Sequence, residues 1–179
     1  MTETAETVVV GGGQAGLAVS YHLAQRGLDH VLLERGEIGE TWRRERWDSF
    51  LLNTPNLYLQ LPGHEYAGDD PFGFLTRAET IPHLEEYARK IDGDVRTQAE
   101  VTAVRAAPGG FSLETSAGRF TAKNVVVAAG SFRRPPERAS PEGAAFELHA
   151  VQYRRPDQLR TEACSSSAAV SPAARSPPS

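Results

Sequence analysis

Three glycines and one glutamate close to the N-terminus have the types and spacing that bind a dinucleotide. Gly11, Gly13 and Gly16 form the pattern GxGxxG: the first permits a tight turn, the second admits a pyrophosphate and the third lets a helix pack closely. Glu34 follows about 20 residues later, where a carboxylate can accept hydrogen bonds from both hydroxyls of an adenosine ribose. Its charge repels a 2′-phosphate, so the pattern favours FAD or NAD over NADP without choosing between them.

The elements that these residues need are predicted around them. Residues 7–10 form an apolar, β-branched run typical of a buried parallel strand, and residues 30–33 predict a second one. Between them, residues 14–25 carry apolar side chains at spacings of three and four, which predicts a helix. Its N-terminus, with Gln14 and Ala15 in the first turn, would direct unpaired N–H groups at the phosphates. The alternative is a glycine-rich turn with a chance acid, and this context argues against it.

The composition is that of a globular protein without a basic surface. The chain has 179 residues, a net charge of −4, 40% hydrophobic and 23% charged residues, which argues against a nucleic-acid partner. No apolar run reaches the about 18 residues of a membrane span, and no signal region is present, so we expect no membrane association and a cytoplasmic location. Cys164 is the only cysteine, which excludes an internal disulfide or a CxxC pair and argues against a disulfide reductase.

The rest of the chain predicts an α/β fold in which a parallel sheet carries an antiparallel insertion. A helix with a regular apolar stripe is predicted over residues 77–91, and a short strand over residues 95–99 could extend the parallel sheet. Alternating segments separated by glycine turns predict a three-stranded β-meander over residues 101–106, 111–115 and 119–122. A final buried strand is predicted over residues 124–129. The expected architecture is a Rossmann-like domain with the meander inserted before its last strand.

Several segments resemble the FAD-dependent flavoprotein monooxygenases of the flavin-containing and Baeyer–Villiger type, in particular their bacterial single-component members. The resemblance runs from residue 7 to residue 159, and RWDSFLLNTPN is its most family-specific segment. Ala129 stands where the family's second FAD signature usually has threonine. The segments that carry the resemblance are GGGQAG at 11–16, LLERG at 32–36, GETWR at 39–43, RWDSFLLNTPN at 46–56 and VVVAAG at 125–130.

The identifying motif of that family, F-x-G-x-x-x-H-x-x-x-Y/F, is only half present. His149 and Tyr153 match its second half, whereas Gly143 and Ala145 occupy its phenylalanine and glycine positions. A loop histidine at a domain junction is the alternative interpretation of His149.

The resemblance implies a flavoprotein with two dinucleotide-binding domains, in which NADPH reduces FAD and the flavin then activates oxygen to oxygenate a small-molecule substrate. By position, Asn53 or Asn56 would hydrogen-bond near the reactive flavin edge and are the candidate catalytic residues. For Trp42 and Trp47, ordinary packing under a long loop is the alternative. The candidate cofactor-binding residues are Gly11, Gly13, Gln14, Ala15, Gly16, Glu34, Arg35, Thr41, Trp42, Trp47, Ala129 and Gly130.

The C-terminal segment departs from the resemblance. Residues 1–159 are expected to form the N-terminal part of the FAD-binding domain, and residues 160–179 a Ser/Ala/Pro-rich disordered tail. A shifted reading frame after Leu159, with G- or C-leaning choices at the free bases, turns this tail into DGGVLVVGSGQSGCQIAA, an apolar strand followed by GxGxxG. We therefore expect a frameshift that removes the NAD(P)H domain, with a natural tail as the alternative.

The sequence thus predicts the FAD-binding part of an NAD(P)H-dependent flavoprotein monooxygenase that is inactive as this chain alone. A non-catalytic FAD-binding fragment without turnover is the alternative from a different class. An NAD-dependent dehydrogenase with one Rossmann domain is a third, but the meander and the VVVAAG segment argue against it.

Overall fold

The computed structural model describes residues 2–130, 148 and 152–158. The predictions for His149 and for residues 160–179 lie outside this part of the chain. The described strands are β1 (Thr2–Val10), β2 (His30–Leu33), β3 (Gln60–Leu61), β4 (His64–Glu65), β5 (Asp94–Arg96), β6 (Val101–Ala107), β7 (Gly110–Thr115) and β8 (Gly118–Val127). The helices are α1 (Gln14–Ala24), α2 (Glu40–Arg44) and α3 (Arg77–Lys90), with short 3₁₀ turns at Asn56–Tyr58 and Pro156–Gln158.

The main sheet has six strands in the order β5-β2-β1-β8-β7-β6. β1 pairs in parallel with β2 on one side and with β8 on the other, so that Val8 lies opposite both Val31 and Val125. β5 extends the parallel part beyond β2, and β7 and β6 continue the sheet as an antiparallel meander. This arrangement confirms the predicted α/β fold, with a parallel sheet and an antiparallel β-meander. The loops that follow β1, β2 and β8 meet at one edge of the sheet, where such folds bind ligands.

One strand was predicted as two. β8 runs without interruption from Gly118 to Val127, whereas the sequence pattern placed a break between residues 122 and 124. The same strand pairs antiparallel with β7 from Gly118 to Ala122 and parallel with β1 from Arg119 to Val127. The division at Lys123 was therefore wrong, because pairing with β1 extends past the point where pairing with β7 ends.

The sheet buries both of its faces, since successive side chains of a strand point to opposite sides. On one face, Val9 and Leu32 pack with α1 and α3 through Leu17, Leu84 and Tyr87. On the opposite face, side chains of β1 and β2 pack with Leu113 of β7 and with Phe120 and Ala122 of β8. The buried residues of this cluster are Val8, Val10, Val31, Leu33, Ala99, Leu113, Phe120 and Ala122.

α3 begins with a capping box. The Thr76 hydroxyl accepts a hydrogen bond from the Glu79 N–H at 3.2 Å, and the Glu79 carboxylate accepts one from the Thr76 N–H at 2.9 Å. The helix spans Arg77–Lys90, one residue shorter than predicted, and includes Pro82. Because the cap satisfies two amides that a helix start leaves unpaired, it fixes where this helix begins.

A stack of ionisable rings connects α3 to the β3–β4 hairpin. His64, 7% exposed, stacks on His83 at 4.3 Å and on Tyr87 at 5.6 Å, and Lys90 Nζ lies 2.9 Å from His64 Nδ1. Burial lowers the pKa of His83, and the neighbouring His64 and Lys90 lower it further while Glu86 opposes them. Burial raises the pKa of Tyr87 to about 12.

We expect this stack to make the fold less stable in acid. His83 binds a proton more weakly in the folded chain than in the unfolded chain, whose pKa is near 6.5. The contribution of His83 to the free energy of unfolding is therefore fully present above that value and decreases as the pH falls from about 7.5 to about 5.5. Urea melts at the two pH values measure the decrease, and His83→Gln should reduce it. His22→Gln, at an exposed position of α1, is the control. An equal decrease in the free energy of unfolding in wild type and His83→Gln would contradict the role of His83 in this acid sensitivity.

Candidate functional site

The turn after β1 requires glycine at residue 11. Gly11 has φ +110°, and a Cβ there would lie 2.6 Å from the carbonyl oxygen of Ala128. Its N–H donates to the Leu33 carbonyl at 2.8 Å, and the Ala128 N–H donates to the Val10 carbonyl at 2.8 Å. Three strand ends are thereby joined at one point, which is the floor of the site.

Close approach of helix and turn explains Gly16. A Cβ on Gly16 would lie 1.8 Å from the Gly11 carbonyl oxygen, so only glycine allows α1 to start this close to the strand. Gly13 differs, because it has φ −80° and a Cβ there would meet nothing within 4 Å. Gly13 is also the N-cap of α1, and no side chain caps it. The first amides of α1 are therefore open to an anion.

Glu34 is held rigidly at the end of β2. The residue is 8% exposed, and its two carboxylate oxygens accept hydrogen bonds from the N–H groups of Gly12 at 2.6 Å and Gly36 at 3.0 Å. Its backbone is fixed too, since its N–H donates to the Arg96 carbonyl and its carbonyl accepts from the Ala99 N–H, each at 2.8 Å. An ionised carboxylate has about four lone-pair sites. Two remain after these bonds, enough to accept both hydroxyls of a ribose.

These residues border one cavity of about 260 Å³. Nine of the predicted site residues line it. Gly16 is not part of the lining and lies at the contact between α1 and the Gly11 turn. The lining also includes Glu45, Arg46 and Ala128, which the sequence analysis did not select. The predicted residues that line it are Gly11, Gly13, Gln14, Ala15, Glu34, Arg35, Thr41, Ala129 and Gly130.

The two tryptophans pack beside the cavity and do not line it. Phe50 lies between them, edge to face with Trp42 at 5.6 Å and with Trp47 at 4.7 Å. Arg46, from the family-specific RWDSFLLNTPN segment, lies over both the Trp42 and the Phe50 rings and reaches the lining. This cluster supports the wall of the cavity. The sequence offered one signal for Arg46, its place at the start of that segment, but its contact with two aromatic rings depends on the fold.

An ion pair closes the lining on the side of Glu34. Arg35 Nη2 lies 3.1 Å from Glu45 Oε1, and both side chains are about one-quarter to one-third exposed. The charges of Arg35 and Glu45 compensate each other. The other charged side chains of the cavity lining are Glu34 and Arg46.

The two asparagines lie away from the cavity lining. Asn53 is exposed at the surface of the loop. Asn56 is 3% exposed, and its amide group donates to the Asp70 carbonyl at 2.9 Å and accepts from the Leu75 N–H at 2.7 Å. Both ends of the Asn56 amide thus hold residues 70–75 against the 3₁₀ turn. The catalytic role predicted for Asn53 or Asn56 stays a prediction.

A turn–helix glycine contact, a buried acid at the next strand end and a parallel sheet define a dinucleotide-binding domain of the Rossmann class. The chain belongs to the pyridine nucleotide-disulphide oxidoreductase family, whose profile matches residues 8–165.

Known proteins place the chain within the flavin-dependent members of this class. The protein named "Uncharacterized oxidoreductase CzcO-like" from Geobacillus kaustophilus is 34% identical over 164 residues, covering 89% of this chain and 47% of that protein. Indole-3-pyruvate monooxygenase YUCCA6 from Arabidopsis thaliana is 38% identical over 86 residues, 48% of this chain and 20% of that protein. A flavin monooxygenase from Stenotrophomonas maltophilia (Q193R H194T mutant) superposes with a TM-score of 0.77 at 29% identity, over 87% of this chain and 48% of that chain.

The resemblance to flavin-dependent monooxygenases is therefore confirmed, and so is FAD as the cofactor of the family. The chain spans about half the length of the curated relatives it matches. Within the described residues, no helix is long and apolar enough to cross a membrane, and no cluster of three or more acidic, histidine or cysteine side chains could hold a metal ion.

Proposed function

We propose that this chain is the FAD-binding half of an NAD(P)H-dependent flavoprotein monooxygenase. The observation that carries the proposal is the cavity in which the open amides of α1, the glycine turn and the anchored carboxylate of Glu34 face one another. The residues fit the ADP half of FAD, because no protein atom lies within 4 Å of a Cβ built on Gly13, which leaves space in front of the first amides of α1, and because two lone-pair sites of Glu34 are left for ribose hydroxyls. The relatives support FAD over NAD, since one of them is a flavin monooxygenase of 29% identity.

Each group has a definite task in this proposal. The N–H groups at the start of α1 bind the pyrophosphate, and Glu34 accepts the ribose hydroxyls. Ala129 and Gly130 border the cavity after β8. In the intact enzyme, bound FAD would supply electron transfer from NADPH and the activation of oxygen for a small substrate, while the protein would orient and shield it.

A binding experiment tests the proposal. The full 179-residue chain is mixed with FAD, separated from free cofactor by gel filtration and examined by visible absorption. Flavin absorption that co-elutes with the protein is the expected result, and excess NAD should not displace it. A chain that retains NAD but no flavin would overturn the proposal.

Replacing Glu34 tests the ribose contact. Glu34→Ala should weaken FAD binding by about 1–3 kcal/mol, because the ribose hydroxyls lose a charged acceptor and the N–H groups of Gly12 and Gly36 lose their partner. Titration of FAD by isothermal calorimetry measures the change. Glu37→Ala, next to the Gly36 amide but outside the cavity lining, is the matched control. Equal affinities for the two variants would contradict the role of Glu34.

We also propose that residues 160–179 are translated out of frame. The support is that a shifted frame after Leu159, with G- or C-leaning choices at the free bases, would encode an apolar strand followed by GxGxxG. In this proposal the chain behaves as a non-catalytic FAD-binding fragment. It binds FAD, but it does not oxidise NADPH faster than free flavin does. The nucleotide sequence around the Leu159 codon tests it, and a stop codon early in the alternative frame would refute it.

A further inference from the structure

Arg46 stands out among the arginines near the cavity by its position. Its guanidinium lies 5.5 Å from the Trp42 ring centroid and 5.6 Å from that of Phe50, within the range of a cation–π contact. The side chain is half-buried and borders the same cavity as Gly13 and Gln14. Two aromatic rings therefore fix a planar cation at the wall that the cofactor must face.

Its neighbours are neutralised, whereas Arg46 is not. Four nearby arginines form ion pairs: Arg35 with Glu45, Arg43 with Glu85, Arg44 with Glu40, and Arg77 with Asp48. Among the described residues, no carboxylate lies within 4.0 Å of the Arg46 guanidinium. Its hydrogen bond is a long one, from Nη1 to the Glu45 carbonyl at 3.3 Å.

The missing acid indicates what the guanidinium binds. A half-buried cation is stabilised by a partner anion, and a guanidinium presents five N–H donors in a planar fork that matches phosphate oxygens. The cavity that Arg46 borders also receives the open amides of α1, which favour the same kind of ligand. A diphosphate between the two would satisfy both sets of donors.

We propose that Arg46 is a cofactor-binding residue that contacts the pyrophosphate of the dinucleotide and makes the site selective for diphosphate over nucleoside ligands. The inference rests on the proposed function, because it places FAD in this cavity. The tryptophan and phenylalanine rings position Arg46, so their role is indirect.

The test compares two fragments of the cofactor, ADP and adenosine, by equilibrium dialysis against the full chain. Arg46→Met keeps an apolar side chain over the rings but removes the charge. It should weaken ADP binding about tenfold or more while leaving adenosine binding unchanged. Arg46→Lys keeps the charge without the planar fork, so its ratio of ADP to adenosine affinity should be intermediate. Arg44→Met, an exposed position outside the cavity lining, is the matched control and should behave as wild type.

The outcomes separate this inference from the function on which it rests. A parallel loss of ADP and adenosine binding in Arg46→Met would show a structural role and overturn the proposal, as would identical ratios in Arg46→Met and Arg44→Met. If the methionine variant does not fold, Arg46→Lys alone decides, since a wild-type ratio would overturn the proposal. A wild-type chain that binds neither ADP nor FAD would overturn the proposed function and the inference with it.

Discussion

A chain carrying Gly13→Val is expected to fold normally and to lose FAD binding. The backbone of Gly13 has φ −80° and ψ −177°, which valine adopts readily, and a Cβ there would meet no protein atom within 4 Å. The added atoms instead occupy the space in front of the first amides of α1. A pyrophosphate then cannot approach these amides, so the cofactor loses its main anion contact.

The measurement is FAD retention after gel filtration, together with a thermal melt of the apoprotein. Valine at the N-cap should lower the stability by about 1 kcal/mol or less, since Gly13 has no side-chain cap to lose. Ala106→Val, an enlargement at an exposed position of β6, is the control and should retain flavin. Full retention of flavin by the Gly13 variant would show that the cofactor does not lie over this turn.

Gly16→Val, unlike Gly13→Val, is expected to destabilise the fold itself. A Cβ on Gly16 would lie 1.8 Å from the Gly11 carbonyl oxygen, so α1 must move away from the strand end. That movement separates Leu17, which is fully buried, from the cluster that it shares with Val9 and Leu32. We expect a loss of about 3 kcal/mol or more, at or above the upper end of the usual range for overpacked cores, because the clash is with backbone.

Denaturant melts of the apoprotein measure this loss, and FAD binding should disappear as a consequence. His22→Val, at an exposed position of the same helix, controls for the lower helix propensity of valine, which costs less than about 1 kcal/mol. Similar stabilities of the two variants would contradict the close approach of α1 and the Gly11 turn. Together, Gly13 and Gly16 distinguish the cofactor contact from the packing contact within one motif.

Local patterns in the sequence were enough to predict most of the fold. The strand before the glycines, the helix after them and the strand at His30–Leu33 follow from the spacing of apolar residues and from turn residues, which act within about one or two helical turns. The same holds for α3 and for the meander, whose turns contain glycine. In the structure the glycine turn, Glu34, Arg35 and Thr41 line one cavity, and their binding of the cofactor stays a prediction.

Tertiary contacts decided what the local patterns left open. The continuity of β8 depends on β1, more than 100 residues earlier in the chain. His30 lies in β2, as predicted, but the sequence did not reveal its partners. Its buried ring forms hydrogen bonds with the Ser20 hydroxyl at 2.7 Å and with the Leu28 carbonyl at 2.9 Å. The side-chain amide of Asn56 holds the loop of residues 70–75 through two hydrogen bonds. Arg46 forms no ion pair with a described carboxylate, whereas Arg35, Arg43 and Arg44 each do.

The physical reason is that backbone conformation depends on local sequence, whereas the hydrogen-bond and ion-pair partners of a side chain depend on the fold. Backbone conformation depends on near neighbours in the chain, so Gly11 and the apolar periodicity of α1 are visible in the sequence. Whether a polar side chain is satisfied depends on which distant groups the fold brings within about 3 Å of it. The sequence by itself therefore determined the dinucleotide-binding architecture and its acid. Only the tertiary structure decided that Glu34 is anchored by two amides and that Arg46 faces the cavity with its charge uncompensated.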